Sequence, residues 1–135
     1  MEMRELLTQA AFDGDVAELA RLLDNGANID AEARNSNPLH AAIENGKASC
    51  VRLLIERGAD VERPAPGYAS PLAHAVDISV DGTIQSGGNP GEEPTEIIVL
   101  LLSAGAMVEP GLTVARRYQS AKLIQLLTAR SSARS

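Results

Sequence analysis

Asn37-Pro38-Leu39-His40-Ala41-Ala42-Ile43-Glu44-Asn45-Gly46, followed by Val51-Arg52-Leu53-Leu54-Ile55-Glu56-Arg57-Gly58-Ala59, is the unit that the rest of the chain copies. Shifted by 32 residues toward the N-terminus, the pattern falls on Leu7, Ala10, Gly14, Leu22-Leu23 and Gly26-Ala27; shifted by 33 toward the C-terminus, Pro38-Leu39 falls on Pro71-Leu72. A period in this range, present at least three times, means stacked supersecondary units, none of which buries its apolar face alone. The expected product is a repeat scaffold, whose default role is binding.

Local chemistry fills in the unit. Met3 to Phe12 and Asp15 to Asn25 carry apolar residues at helical spacing (Leu6, Leu7, Ala10, Ala11; Val16, Leu19, Leu22, Leu23), with Gly14 between them. Asp13 and Asp15 can cap the second of these helices, and Gly26 supplies the left-handed residue that stops it. From Ala27 to Asn37 the 3.6-residue period is lost among turn-forming Asn28, Asp30, Asn35 and Asn37, which predicts a β-turn or short hairpin connector. Asn37 then caps a helix whose first turn holds Pro38, and Ser70-Pro71 repeats the device.

Asn-Pro-Leu-His-Ala-Ala at 37–42, Gly46, and Val-x-Leu-Leu-Ile-x-x-Gly-Ala-Asp-Val at 51–61 resemble the ankyrin repeat, whose signature is Thr-Pro-Leu-His-x-Ala. The resemblance runs over Leu6–Leu127, with Gly-Ala pairs at Gly26, Gly58 and Gly105. It implies an all-α fold with short β-hairpin or turn connectors: an ankyrin-type solenoid of four repeats, about 3–30, 31–62, 63–109 and 110–129, in one domain, 1–135, with a flexible tail at 130–135. In that family each repeat is a hairpin finger followed by two antiparallel helices, and fingers and first helices line a concave face that binds other proteins. His40, at the signature position, is implied to orient the neighbouring hairpin; His74 is displaced by one position, so that either capping or exposure is open to it.

Three departures stand out. Leu72 to Gly105 spans 33 residues where Leu39 to Gly58 spans 19, so the third repeat carries an insertion, about 78–93. Its Gly82, Gly87, Gly88, Pro90 and Gly91 predict that it is not regular helix, with Pro94 opening the next helix amid Glu92, Glu93 and Glu96. Gly105 to Leu112 spans seven residues where Gly58 to Leu72 spans fourteen, which removes the last finger and assigns Pro110-Gly111 to the turn. Finally, Gln119 stands where earlier repeats have glycine, and with Arg116, Arg117 and Lys122 it marks a C-terminal capping repeat.

Composition narrows the function classes. With 44% apolar and 2% aromatic residues the core is aliphatic. The net charge is −6, yet the five bases after residue 111 (Arg116, Arg117, Lys122, Arg130, Arg134) meet no acids, so residues 1–111 carry −11, the total less those five. That balance argues against nucleic acid and anionic membrane as partners and favours a basic protein. Cys50 alone excludes an internal disulfide and suits a reducing cytoplasm, and the charged Met1–Glu5 start does not read as a signal peptide.

No catalytic constellation, metal centre or cofactor site is expected. His40, His74 and Cys50 lack zinc-ligand spacing, and Ser86–Gly91 lacks the Gly-Lys-Ser/Thr of a phosphate loop. Asp77 to Gly82 matches the first half of a calcium loop, but position twelve is Gly88 rather than a bidentate Glu. The resemblance therefore implies a non-enzymatic protein-binding module, monomeric when free, with contacts at finger tips and exposed helix turns: Phe12 and Asp13; Ala33, Arg34 and Ser36; Glu44 and Asn45; Tyr68 and Ala69; Asp77 and Ile78. Tyr68 leads because interface energy concentrates in Tyr, Trp and Arg and the chain has no Trp. Short stand-alone bacterial proteins of this kind are in some cases immunity or antagonist partners of a toxin or enzyme, which is the alternative function. A calcium or small-ligand sensor using the inserted loop is a further alternative.

Overall fold

The computed structural model describes residues 1–133, with side chains to Arg130. Eight helices follow one another in this range: α1 (Met3–Asp13), α2 (Val16–Asp24), α3 (Pro38–Glu44), α4 (Ala48–Glu56), α5 (Pro71–Gln85), α6 (Glu96–Ser103), α7 (Glu109–Arg117) and α8 (Ala121–Ala133). They pair as hairpins, α1 with α2, α3 with α4, α5 with α6 and α7 with α8. The first helices α1, α3, α5 and α7 pack in sequence as one layer, and α2, α4 and α6 form a second layer behind them.

One aliphatic core runs through the stack, with Leu7, Leu19, Ile43, Leu54, Leu72, Ile98, Leu101, Leu123 and Leu127 fully buried. Each such side chain contributes about 1.5–3 kcal/mol relative to exposure. Because that core is shared between successive hairpins, none of them buries its apolar face alone.

Helix starts follow the side-chain chemistry read above. Asp15, Asn37 and Ser70 each accept a hydrogen bond from the backbone N–H three residues on, at 3.0–3.1 Å. At the end of α4 the N–H groups of Gly58 and Ala59 bond back to the carbonyls of Ile55 and Leu54, with Gly58 at φ 90° as a left-handed stop requires. Gln119, which occupies the position of such a stop between α7 and α8, is itself left-handed at φ 56°. A non-glycine residue there costs about 1–2 kcal/mol, of which glycine's greater unfolded-state freedom returns about 0.5–1 kcal/mol. Gln119→Gly is therefore expected to stabilise the domain by about 0.5–1 kcal/mol, read as a melting temperature higher by about 2–4 °C. An unchanged or lower value would show that the glutamine makes a compensating contact.

The two long connectors are fingers closed by single β-bridges, Ala33 with Ser36 and Ala65 with Tyr68. Arg34 and Asn35 both have positive φ, as a type I′ turn demands, whereas Pro66-Gly67 places its positive φ at Gly67 alone, as in type II. Successive connectors are stitched together: Asp30 accepts from the Asp60 N–H at 3.0 Å and Glu62 from the Met107 N–H at 2.7 Å. Only residues 104–108 separate α6 from α7, so the fourth repeat forms no finger.

The insertion differs from expectation. Its first half, 78–85, is helical and prolongs α5 to 15 residues, where α3 has seven. Ser79 and Val80 are buried on the prolonged helix, and this outweighs the roughly 1 kcal/mol cost of one interior glycine, Gly82. The other glycines and Pro90 come after Ser86, in the short loop that returns to α6. That loop is fastened to the last hairpin. The buried carboxylate of Glu93 accepts from the Ser120 hydroxyl at 3.0 Å and the Gly91 N–H at 2.8 Å, while Lys122 Nζ donates to the Gly91 and Glu93 carbonyls.

Two proline assignments also change. Pro94 precedes α6, whose N-cap is Thr95, and its carbonyl accepts from the Ser79 hydroxyl at 2.5 Å. Pro110 and Gly111 are not a turn but the first turn of α7, where proline's missing N–H is harmless. Of the expected tail, α8 extends to Ala133, and residues 134–135 lie outside the described part.

Candidate functional site

The exposed side of the first-helix layer, flanked by the fingers, collects most of the residues named from sequence. Near its N-terminal end Phe12, Arg34, Ser36, Ala41 and Glu44 line a cavity of about 320 Å³. The Arg34 guanidinium bonds to Gln9 of α1, and Gln9 in turn donates to Asp13 at 2.9 Å, so the finger tip is tied to the first helix. Asn45 is spent on structure, donating from its side chain to the Phe12 carbonyl at 2.7 Å. Ala33 is buried in the finger bridge.

Toward the C-terminal end, Pro66, Tyr68, Asp77, Glu109, Thr113 and Arg117 line a second cavity of about 870 Å³, with Ala69 also on its wall. It lies between the second finger and α7, where the absence of a finger in the fourth repeat leaves the stack open. Ile78, one residue from Asp77, faces the opposite way into the groove between α5 and α6 with Ser79, Pro94 and Ile97, so it does not join the others. A helix turns about 100° per residue, which here carries Ile78 off the face that Asp77 occupies.

Between the two cavities runs a polar and aromatic row. Glu44 Oε2 lies 2.5 Å from His74 Nε2. The Tyr68 ring stacks on His74 with centroids 3.8 Å apart. Asp77 is held from both sides, accepting from the Tyr68 hydroxyl at 3.1 Å and the Tyr118 hydroxyl at 2.6 Å. Burial and the Asp77 charge push the Tyr68 hydroxyl up to about 12; for Tyr118 the Asp77 hydrogen bond comes first, then burial, with the same result. Both phenols thus remain donors and orient the carboxylate at every ordinary pH.

His40 does what the signature position implies: its Nε2–H donates to the Arg63 carbonyl in the next finger at 2.7 Å. His74 is buried, and instead of capping its own hairpin or lying exposed it meets His40, Nδ1 to Nδ1, at 2.8 Å. Sequence reasoning missed Tyr118 altogether and could not place His74. An aromatic at the end of α7, one turn of the stack beyond Asp77, is the only signal that pointed there.

The half calcium motif is not a loop. Asp77 to Gly82 is part of α5, which sends Asp77 to the two tyrosines and Ser79 to Pro94, so these oxygens do not converge. Among the described residues no group of three or more His, Cys, Asp and Glu is placed to hold a metal ion, and no helix is long and apolar enough to cross a membrane.

The family model for ankyrin repeats (3 copies) matches residues 3–77, more than half of the chain. Among curated relatives, the mouse 2-5A-dependent ribonuclease is 35% identical over 68 residues, 49% of this chain and 9% of that protein. Human ankyrin repeat and KH domain-containing protein 1 is 37% identical over 76 residues, 56% of this chain and 3% of that protein. This chain thus spans less than a tenth of either relative's length. Ankyrin repeats are generally non-catalytic modules of protein–protein interaction. The stacked helix hairpins, the bridged fingers, the His40 bond to the next finger and the family match over 3–77 agree, and the chain belongs to the ankyrin repeat family.

Proposed function

We propose that this is a protein-binding domain of four repeats (about 3–30, 31–62, 63–109 and 110–129), acting in the cytoplasm as a monomer until it meets a basic protein partner, and catalysing nothing. The observation that carries the reading is the row from Glu44 through His74, Tyr68 and Asp77 to Tyr118, which joins the two cavities into one surface with oriented carboxylates. Phe12, Asp13, Arg34, Ser36, Glu44, Tyr68 and Asp77 are the proposed contacts, with Asn45 supporting Phe12 from behind. A stable interface buries roughly 800 Å² on each side, so a partner held here would cover both cavities and the row between them. The charge of −11 on residues 1–111 favours a basic partner over nucleic acid or an anionic membrane.

The same charge supports a second reading, an immunity or antagonist protein covering a basic, nucleic-acid-active enzyme. The two readings differ in what the partner does alone, not in which residues bind it.

Affinity capture from the native host, followed by titration of the purified partner, tests both. Arg34→Ala combined with Tyr68→Ala is expected to weaken binding at least tenfold, about 1.4 kcal/mol, with an unchanged helical circular dichroism spectrum. Parent-like affinity in that double variant would remove this face from consideration.

A further inference from the structure

His40 and His74 are buried where α3 meets α5, and three short contacts run through them in series. His40 Nε2 lies 2.7 Å from the Arg63 carbonyl, His40 Nδ1 lies 2.8 Å from His74 Nδ1, and His74 Nε2 lies 2.5 Å from Glu44 Oε2. A hydrogen bond places one proton between its two heavy atoms, and both ends of this series, a carbonyl and an ionised carboxylate, only accept. Three contacts therefore need three protons. Two neutral imidazoles bring one N–H each, which makes two.

From this count we infer that the His40–His74–Glu44 series is a site for one additional proton, shared by the two histidines, whose arrival fixes Glu44 against His74 and whose departure frees Glu44 for a partner. The release of Glu44 to a partner rests on the proposed docking face; the proton site itself does not.

Everything that acts on the two rings can be named. Burial lowers the proton affinity of both. The Arg63 carbonyl from the second long connector opposes burial at His40, while the proximity of His74 adds to it. At His74, Glu44 from α3 and Asp77 from α5 oppose burial. Tyr68 covers His74 from the finger, and Tyr118, the residue after α7, reaches the site only through Asp77. α1 and α4, which also pack on α3, and α6 and α7, which pack on α5, supply none of the charged groups that act on either ring.

At neutral pH the two buried contacts keep the two protons, His40 Nε2–H on the Arg63 carbonyl and His74 Nδ1–H on His40. The unfilled contact is then the outermost, where the Glu44 side chain is 51% exposed and water can replace His74 as the partner of its carboxylate. As pH falls below the ordinary imidazole value of about 6.5, the proton enters and closes the series. Because burial holds the folded-state value below the unfolded one, the pair's contribution to stability is complete above about 6.5 and is lost as pH falls toward the folded value. The Glu44 carboxylate moderates that loss.

The chain has two histidines, so imidazole nitrogen NMR of the whole protein, titrated from about pH 8 to 4.5, reads the site without ambiguity. Both rings are expected to respond with one common midpoint below about 6.5 and to share a single proton between them. In Glu44→Gln the amide N–H donates to His74 Nε2 and closes the series with two neutral rings. The variant is expected to show at least tenfold lower proton affinity, a midpoint lower by at least about one pH unit, with no loss of melting temperature at pH 7.5. Independent titration of the two rings, no response before acid unfolding, or a parent-like midpoint in Glu44→Gln would each overturn the proton site. A captured partner is expected to bind at least tenfold more weakly at pH 5.5 than at 7.5, and equal affinity would overturn the coupling alone. Failure of the Arg34 and Tyr68 double variant to weaken binding would instead remove the docking face while leaving the NMR result intact.

Discussion

Leu101→Ala is expected to lower the stability of the domain by about 2–5 kcal/mol, and Leu54→Ala by a similar amount, in chemical or thermal unfolding. Both side chains are 0% exposed, and each sits four residues before a left-handed glycine, Gly105 and Gly58. The Leu54 and Leu101 carbonyls accept from the Ala59 and Ala106 N–H groups at 2.9 and 3.1 Å, so the two helices end by the same device. α4 and α6 pack against each other in the second layer, and a cavity left among their aliphatic side chains stays dry because it offers water no polar partner. Since whole domains are stable by only about 5–15 kcal/mol, either change removes a large fraction of the total. The equality of the two losses is the informative part: α6 follows the insertion, and a Leu101→Ala protein that melts like its parent would show that the repeat register does not survive it.

Gly111→Ala is expected to destabilise by up to about 2 kcal/mol, against the direction of helix propensity. Alanine is favoured over glycine inside a helix by about 1 kcal/mol, but a Cβ at 111 would stand 2.7 Å from Leu72 Cγ and 2.9 Å from its Cδ2. Leu72 is fully buried, so it has nowhere to turn, and overpacking of this kind costs about 1–3 kcal/mol. Thermal melts of Gly111→Ala, of Leu72→Ala and of the double variant test the contact. The double variant should lose less than the sum of the two single losses, because removal of the leucine makes room for the methyl. Strict additivity, or a Gly111→Ala protein more stable than its parent, would mean that α7 can move away from α5 at no cost.

Gly111 also shows where local reading stops. Pro110-Gly111 has the composition of a turn, and nothing within five residues distinguishes a glycine needed for its left-handed freedom from one needed for its lack of a side chain. The difference lies in Leu72, 39 positions earlier in the chain. The insertion misled for a related reason. Glycines averaged over 78–93 hid the fact that only Gly82 lies in the half that continues α5, where Val80 still has a core to enter.

The site was legible in the same uneven way. Tyr68, Arg34, Glu44 and Asp77 could be named because finger tips and helix ends follow from repeat phase. His74 could not be placed, and Tyr118 was not considered, because their roles depend on which residues of adjacent repeats come within 3 Å. That distance is not a property of a single repeat.

What the sequence determined alone is whatever repeats at a fixed spacing: the period, the Asn37 and Ser70 caps, the glycine stops and the aliphatic stripe, each a local preference reinforced at every copy. The tertiary structure decided what occurs once: the helical course of the insertion, the close approach of α7 to Leu72, and the meeting of His40 with His74. The last two depend on contacts between residues more than thirty positions apart, whose energies exist only after the repeats have stacked.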